Sequence, residues 1–177
     1  MVDKKTILVV DDDEAINSLL VNTLSIKYKV DSVFCGMKAI AYCGNQRPDA
    51  ILLDVNLGDI DGRLVCETLQ HEFGDKTPPI VFISGDDTEQ NVISCFERGG
   101  DDFIAKPFSP EQLIRKVDAL LRYRVMINNL QLQSDELSEL VTTTMSQASS
   151  YGAVLHMVKQ LNYCDSEQEI AEEIFKF

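Results

Sequence analysis

The feature that most narrows what this chain can fold into is an alternation, repeated along its first 120 residues, between short apolar runs and longer stretches with helical spacing. Thr6–Val10 is an apolar, β-branched run, and Glu14–Ser25 carries Ile16, Leu19, Leu20 and Leu24 at the steps of an amphipathic helix. The pair recurs at Lys29–Val33 with 37–44, at 50–53 with Gly62–Phe73, and at 79–84 with 88–98. A last strand-like run, Asp102–Ala105, precedes a helix that starts after Ser109. Strands linked through helices run parallel, and their crossovers are right-handed, so the pattern predicts an α/β fold: a five-stranded parallel sheet covered by helices on both faces.

The fifth helix opens on "SPEQLIRKV", where Ser109 is placed as N-cap, Pro110 fits the first helical position and Gln112 completes a capping box. Its end is unmarked, because neither proline nor glycine occurs between Pro110 and Gly152. Steps of three and four from Leu120 reach Tyr123, Ile127, Leu130, Ser134, Leu137, Val141, Thr144, Ala148, Tyr151, Leu155 and Val158. That is a heptad seam with two polar interruptions, the pattern of a helix that pairs with another helix, so a homodimer through this C-terminal helix is expected. The alternative is a break or hinge within "TTTMSQASSYG" at 142–152, which is poor helix-forming sequence. Farther on, "SEQEIAEEIFKF" begins with a second capping box, Ser166 and Glu169, and sets Ile170, Ile174 and Phe177 on one stripe. The pattern is still running at Phe177, and the expectation is a piece whose output domain is missing. The expected division is 1–124 for the α/β domain and 125–177 for a helical linker, a coiled-coil segment or the start of that output domain.

Charge excludes some functions. With 29 acidic against 16 basic residues, the net charge of −13 repels nucleic acid and anionic membranes, so neither is an expected partner. A 45% apolar and 25% charged composition is that of a folded globular protein, not a disordered one. The absence of a span-length apolar run or a signal-peptide pattern makes the expected location cytoplasmic. Cys35, Cys43, Cys66, Cys95 and Cys164 form no CxxC pair and read as small reduced hydrophobes.

In "ILLDVNLGDIDG" an apolar run suited to a strand buried on both faces ends in a carboxylate, Asp54. In open parallel sheets ligands bind beyond the carboxyl ends of the strands. Asp11, Asp12 and Asp13 follow the first strand, Asp54 the third, Ser84 the fourth and Lys106 the fifth. Clustered carboxylates repel, and a cation relieves them; an oxygen-rich set of this kind suits Mg²⁺. A carboxylate, a hydroxyl and a lysine beside Mg²⁺ are the parts phosphoryl transfer needs, namely a nucleophile, a donor and positive charge for phosphoryl oxygens.

The segments "ILVVDDDEA", "ILLDVNLGDIDG", "VFISG" and "DDFIAKPF", in that order, resemble the receiver domain of two-component response regulators, over residues 4–124. The resemblance implies a doubly wound sheet of order 2-1-3-4-5 and Asp54 as acceptor of a phosphoryl group from a sensor histidine kinase or phosphotransfer protein. It implies Asp11, Asp12, Asp54 and the carbonyl of Asn56 as the protein's Mg²⁺ ligands. It further implies Ser84 as the hydroxyl that turns toward the phosphoryl group, Lys106 as the partner of the carboxylate, a cis bond before Pro107, and Phe103 at the position of an aromatic switch. Asn56 and Asp86 stand where relatives tune dephosphorylation. The sequence departs from its relatives at Gly58, where proline is common, at Ser84 in place of threonine, and at Phe103 in place of tyrosine. Such a protein is a signalling phosphoacceptor and not an enzyme with a separate substrate.

Two other readings use the same residues. Haloacid-dehalogenase-like phosphohydrolases carry an Asp-x-Asp nucleophile motif after the first strand, which Asp11 and Asp13 mimic, but Ala15 stands where threonine or valine is expected and Asp54 is left without a role. The other is an unphosphorylated docking or adaptor module of receiver fold. Of the two histidines, His71 falls at a helix end and reads as solvated, while His156 and Lys159 loosely resemble a histidine phosphotransfer motif, with Gln160 in place of its small residue.

Overall fold

The computed structural model describes residues 4–161. Five strands, β1 (Thr6–Val10), β2 (Lys29–Val33), β3 (Ala50–Asp54), β4 (Ile80–Ser84) and β5 (Asp102–Ala105), alternate with five helices. The helices are α1 (Glu14–Ser25), α2 (Gly36–Asn45), α3 (Gly62–Phe73), α4 (Glu89–Glu97) and α5 (Pro110–Leu161). All strand pairs are parallel and the order is β2-β1-β3-β4-β5, so the expected α/β doubly wound architecture is the one observed.

Side-chain alternation along the strands divides the interior into two cores. Leu8, Val10, Ile51, Leu53, Ile80 and Phe82 point to one face and pack with Val65, Cys66 and Leu69 of α3, Ala39 and Cys43 of α2, and Cys95 of α4. The intervening residues Ile7, Val9, Ala50, Leu52, Val81 and Ile83 point to the other face, against Leu20 and Leu24 of α1 and Leu113, Val117 and Leu120 of α5. This is why β3 and β4 read as unbroken apolar runs: every residue of both strands is buried. The edge strand β2 is only partly covered, and its Asp31 accepts a hydrogen bond from the Tyr42 hydroxyl at 2.6 Å. The four described cysteines are unpaired, and burial pushes the Cys43 thiol up to about 11 and the Cys66 thiol up to about 12, as expected of inert core residues.

The chain divides into two compact units, Met1–Met126 and Ile127–Phe177. The start of α5 follows the sequence in part: the Ser109 hydroxyl accepts from the Gln112 N–H at 3.1 Å, which is one half of a capping box. The alternative of a break at 142–152 is not what the structure shows, since α5 stays helical through Leu161. The hydroxyls that lower helix propensity are absorbed within the helix, with Thr142, Thr143 and Thr144 each donating to the carbonyl four residues back. The side chains of Ala148, Leu155, His156 and Val158, as well as Cys164, the Ser166 and Glu169 capping box and the stripe from Ile170 to Phe177, lie outside the described residues. No described helix is long and apolar enough to cross a membrane.

Phe82, fully buried in the first core, is the largest side chain there, and a Cβ added at Gly100 would lie 2.6 Å from its ring. Phe82→Ala is expected to lower unfolding free energy by about 3–5 kcal/mol in urea titrations followed by circular dichroism.

Candidate functional site

The carboxyl ends of β1, β3, β4 and β5 bring four polar side chains to one edge of the sheet. Asp11 is 1% exposed, Asp54 5% and Ser84 0%, so these groups lie within the protein and must find partners there. Lys106 supplies the central one. Its Nζ donates to Asp11 Oδ2 at 2.8 Å and to Asp54 Oδ1 at 2.7 Å, tying β1 and β3 to the end of β5. The remaining carboxylate oxygens are held by backbone: Asp11 Oδ1 accepts from the Asp13 N–H at 3.0 Å and Asp54 Oδ2 from the Asn56 N–H at 2.9 Å. The Lys106–Pro107 bond is cis.

Burial pushes the Asp11 carboxyl above its ordinary value against the pull of Lys106, and the neighbouring Asp54 charge pushes the same way. Desolvation acts on Lys106 in the opposite sense, but its bonds to Asp11 and Asp54 outweigh it and hold the ammonium above its ordinary value.

Two of the three consecutive acids thus have separate tasks. Asp13 is the N-cap of α1, accepting from the N–H groups of Ala15 at 2.8 Å and Ile16 at 3.1 Å. Asp12 is exposed at the rim. Its Oδ2 stands 3.2 Å from where a Cβ on Gly58 would lie, so the position at which the sequence departs from its relatives adjoins the acidic rim. Gly58 does not have a positive φ; its lack of a side chain leaves room beside Asp12 and is not needed for a left-handed turn.

The loop after β3 is fastened at several points the sequence did not advertise. Gly62, at the start of α3, has its N–H on the Val55 carbonyl at 2.8 Å, and a Cβ there would lie 2.0 Å from the Asp54 carbonyl oxygen, so only glycine lets α3 begin so near the acid. Asp59 reaches α2, accepting from the Gly36 N–H at 2.8 Å and the Met37 N–H at 3.0 Å, where the cap residue Cys35 makes no side-chain bond. Asp61 caps α3, accepting from the Arg63 N–H at 2.8 Å; the partnership of Asp59 with α2 spans 23 residues and no local pattern carries it.

Ser84 Oγ accepts from the Asp86 N–H at 3.1 Å and faces Asn91 Nδ2 at 3.5 Å. Its described partners thus lie in the loop after β4 and on α4, while Asp54 and Lys106 bond each other. Asn56 and Asp86 are both exposed, two residues beyond Asp54 and Ser84. Phe103 is half-buried, packed against the first core. His71 is exposed in the last turn of α3, apart from the set at the strand ends.

Among the described residues no three His, Cys, Asp or Glu side chains form a ready-made metal cage. The donors that the strand ends do offer, Asp11, Asp12 and Asp54, carry more negative charge than Lys106 offsets, and they are hard oxygens. That chemistry fits a cation such as Mg²⁺, which takes one or two carboxylates and keeps several waters.

The chain is similar to known proteins in sequence and fold. Residues 7–118 match the response regulator receiver domain. The response regulator MprA of Mycobacterium ulcerans is 36% identical over 144 residues, which is 81% of this chain and 59% of the relative, so the chain spans little more than half of that protein's length. Among solved structures, a BeF3-activated DrrB receiver domain aligns with a TM-score of 0.62 at 27% identity, covering 67% of this chain and 98% of the other. A CheY-like response regulator receiver domain protein from Methanospirillum hungatei aligns with a TM-score of 0.65 at 26% identity, covering 70% and 98%.

Desolvation pushes the Asp59 carboxyl up, but its hydrogen bonds from Met37 and Gly36 prevail and hold it below the ordinary value of 3.8. Its contribution to stability is therefore full above that value and is lost as pH falls through the lowered one. Asp59→Ala is expected to cost about 1 kcal/mol at neutral pH in denaturant titrations, and the gap from the parent should close as the titrations move into strong acid.

Proposed function

The chain belongs to the response regulator receiver family, and from that premise we propose that it acts as a Mg²⁺-dependent phosphoacceptor with Asp54 as the residue that carries the phosphoryl group. The observation that supports this most directly is the Lys106 ammonium shared by Asp11 and Asp54 at the carboxyl edge of the sheet. An Asp54 oxygen attacks the phosphorus of a phosphohistidine on a sensor kinase or phosphotransfer protein. A P–O bond forms while the P–N bond breaks, and the electron pair of that bond leaves with the imidazole nitrogen. Lys106 and the Asn56 N–H fix the carboxylate in one orientation, which removes the entropy of aligning it. Asp11, Asp12, Asp54 and the Asn56 carbonyl are the groups that would hold Mg²⁺, which when bound supplies positive charge for the phosphoryl oxygens.

Ser84 leaves its bonds with the β4–α4 loop to meet the phosphoryl group, and Phe103 repacks in response, so the surface around α4 and β5 changes population. Hydrolysis of the acyl phosphate resets the domain, and Asn56 and Asp86, exposed two residues beyond Asp54 and Ser84, tune the attack of water. No separate substrate is turned over.

The C-terminal helix carries the signal onward. In unit two Leu130 is 50% exposed, Leu137 62% and Tyr151 71%, all at seam positions of the heptad pattern. A stripe of this kind is suited to pairing with a second copy of the chain.

Incubation with acetyl phosphate and Mg²⁺ is expected to add one phosphoryl group, read as a mass increase of the intact protein; Asp54→Asn should abolish it, and chelation of Mg²⁺ should suppress it. Incorporation that survives Asp54→Asn but not Asp11→Asn would assign the nucleophile to β1 instead, and a chain that never incorporates phosphate would be a docking module. Light scattering is expected to give the mass of a dimer for the full chain, and Leu130→Asp with Leu137→Asp should shift it to a monomer.

A further inference from the structure

Ser84 does not rest against a loose surface. Asn91, on the first turn of α4, is 8% exposed and makes three polar contacts with its amide. Its Nδ2 donates to the Asp86 carbonyl at 2.6 Å and faces Ser84 Oγ at 3.5 Å, while its Oδ1 accepts from Arg63 Nη1 at 3.1 Å. The amide has one orientation that satisfies these neighbours, because reversing it would set a donor against the guanidinium and an acceptor against the carbonyl. Arg63 is in turn fixed by Asp61, with Nε on Oδ1 at 2.9 Å and Nη2 on Oδ2 at 2.6 Å, a bidentate pair. Asp61 closes the path, since its backbone bridges to Asn56, whose N–H holds the Asp54 carboxylate.

A chain of polar contacts therefore runs from Asp54 through Asn56, Asp61, Arg63 and Asn91 to Ser84. Resting on the phosphoacceptor reading above, we propose that Asn91, held by Arg63 and Asp61, is a positioning residue that stabilises Ser84 in its resting orientation and so sets how readily the site is phosphorylated. When Ser84 turns away, Asn91 stays, because the Asp86 carbonyl and Arg63 still hold it. The donor remains in place to receive the hydroxyl back. At 3.5 Å its bond to Ser84 is long, a restraint weak enough to be broken by the gain of a phosphoryl contact.

The test is a comparison of initial rates of phosphorylation by acetyl phosphate with Mg²⁺, in the full chain, for Asn91→Leu and Arg63→Gln, each alone and combined with Ser84→Ala. Loss of this long contact to the resting hydroxyl is expected to raise the rate about two- to threefold in the presence of Ser84. In the Ser84→Ala background neither change should alter the rate further, because the group being restrained is gone. An equal fold-change in both backgrounds, a fall in rate, or no change in either overturns the relay, since a residue that only supports the fold acts independently of the hydroxyl. Arg63 is partly exposed and its substitution leaves the core intact, so it carries the comparison alone if Asn91→Leu does not fold. Unaltered incorporation in Asp54→Asn would remove the phosphoacceptor reading itself, a result separate from all of these.

Discussion

Lys106 is where the architecture of this protein becomes chemistry. Two carboxylates, Asp11 and Asp54, are buried side by side on adjacent strands, an arrangement that costs several kcal/mol per ion unless a cation relieves it. A single ammonium from the end of β5 bonds both. The relief is incomplete at Asp11, whose carboxyl burial still holds above its ordinary value.

The sheet makes that arrangement possible by being rigid on both sides. Because successive residues of β3 and β4 enter opposite cores, neither strand can slip by one residue without exchanging Leu52 for Leu53 and Val81 for Phe82 across the sheet. Pairing of Asp54 with Ile83 and of Ser84 with Ala105 then fixes the heights at which the acid, the hydroxyl and the lysine emerge. Function sits on the loops just beyond, fastened by Gly62, Asp59 and Arg63, each tied to backbone or to a buried amide. Rigid strands and tethered loops divide the labour: the strands hold Asp54 and Ser84 at fixed heights, and the loops hold their hydrogen-bond partners.

The fold was legible because its signals are local and repeated. Short apolar runs, helical spacings, the Pro110 helix start and the polar residues after four of the strands could be read without tertiary information, and the strand order followed from the family resemblance. The unbroken helix through 142–152 was harder to read, because propensity counts a threonine as unfavourable without knowing that its hydroxyl will bond the carbonyl one turn back. Asp13 could be taken for a metal or nucleophile residue until its oxygen was found on the N–H groups of α1.

What remained invisible in the sequence are contacts between residues far apart in the chain. Asp59 with Gly36, Arg63 with Asn91, and Asn91 with the Asp86 carbonyl join segments that no periodicity relates. The sequence by itself determined the alternating elements, the apolar strands and the set of polar residues at their ends, since these depend on the spacing of side chains along one strand or helix. Only the tertiary structure decided which of those residues share a proton donor and which merely cap a helix, because a hydrogen bond is settled by tenths of an ångström between chain segments that the register of the sheet brings together.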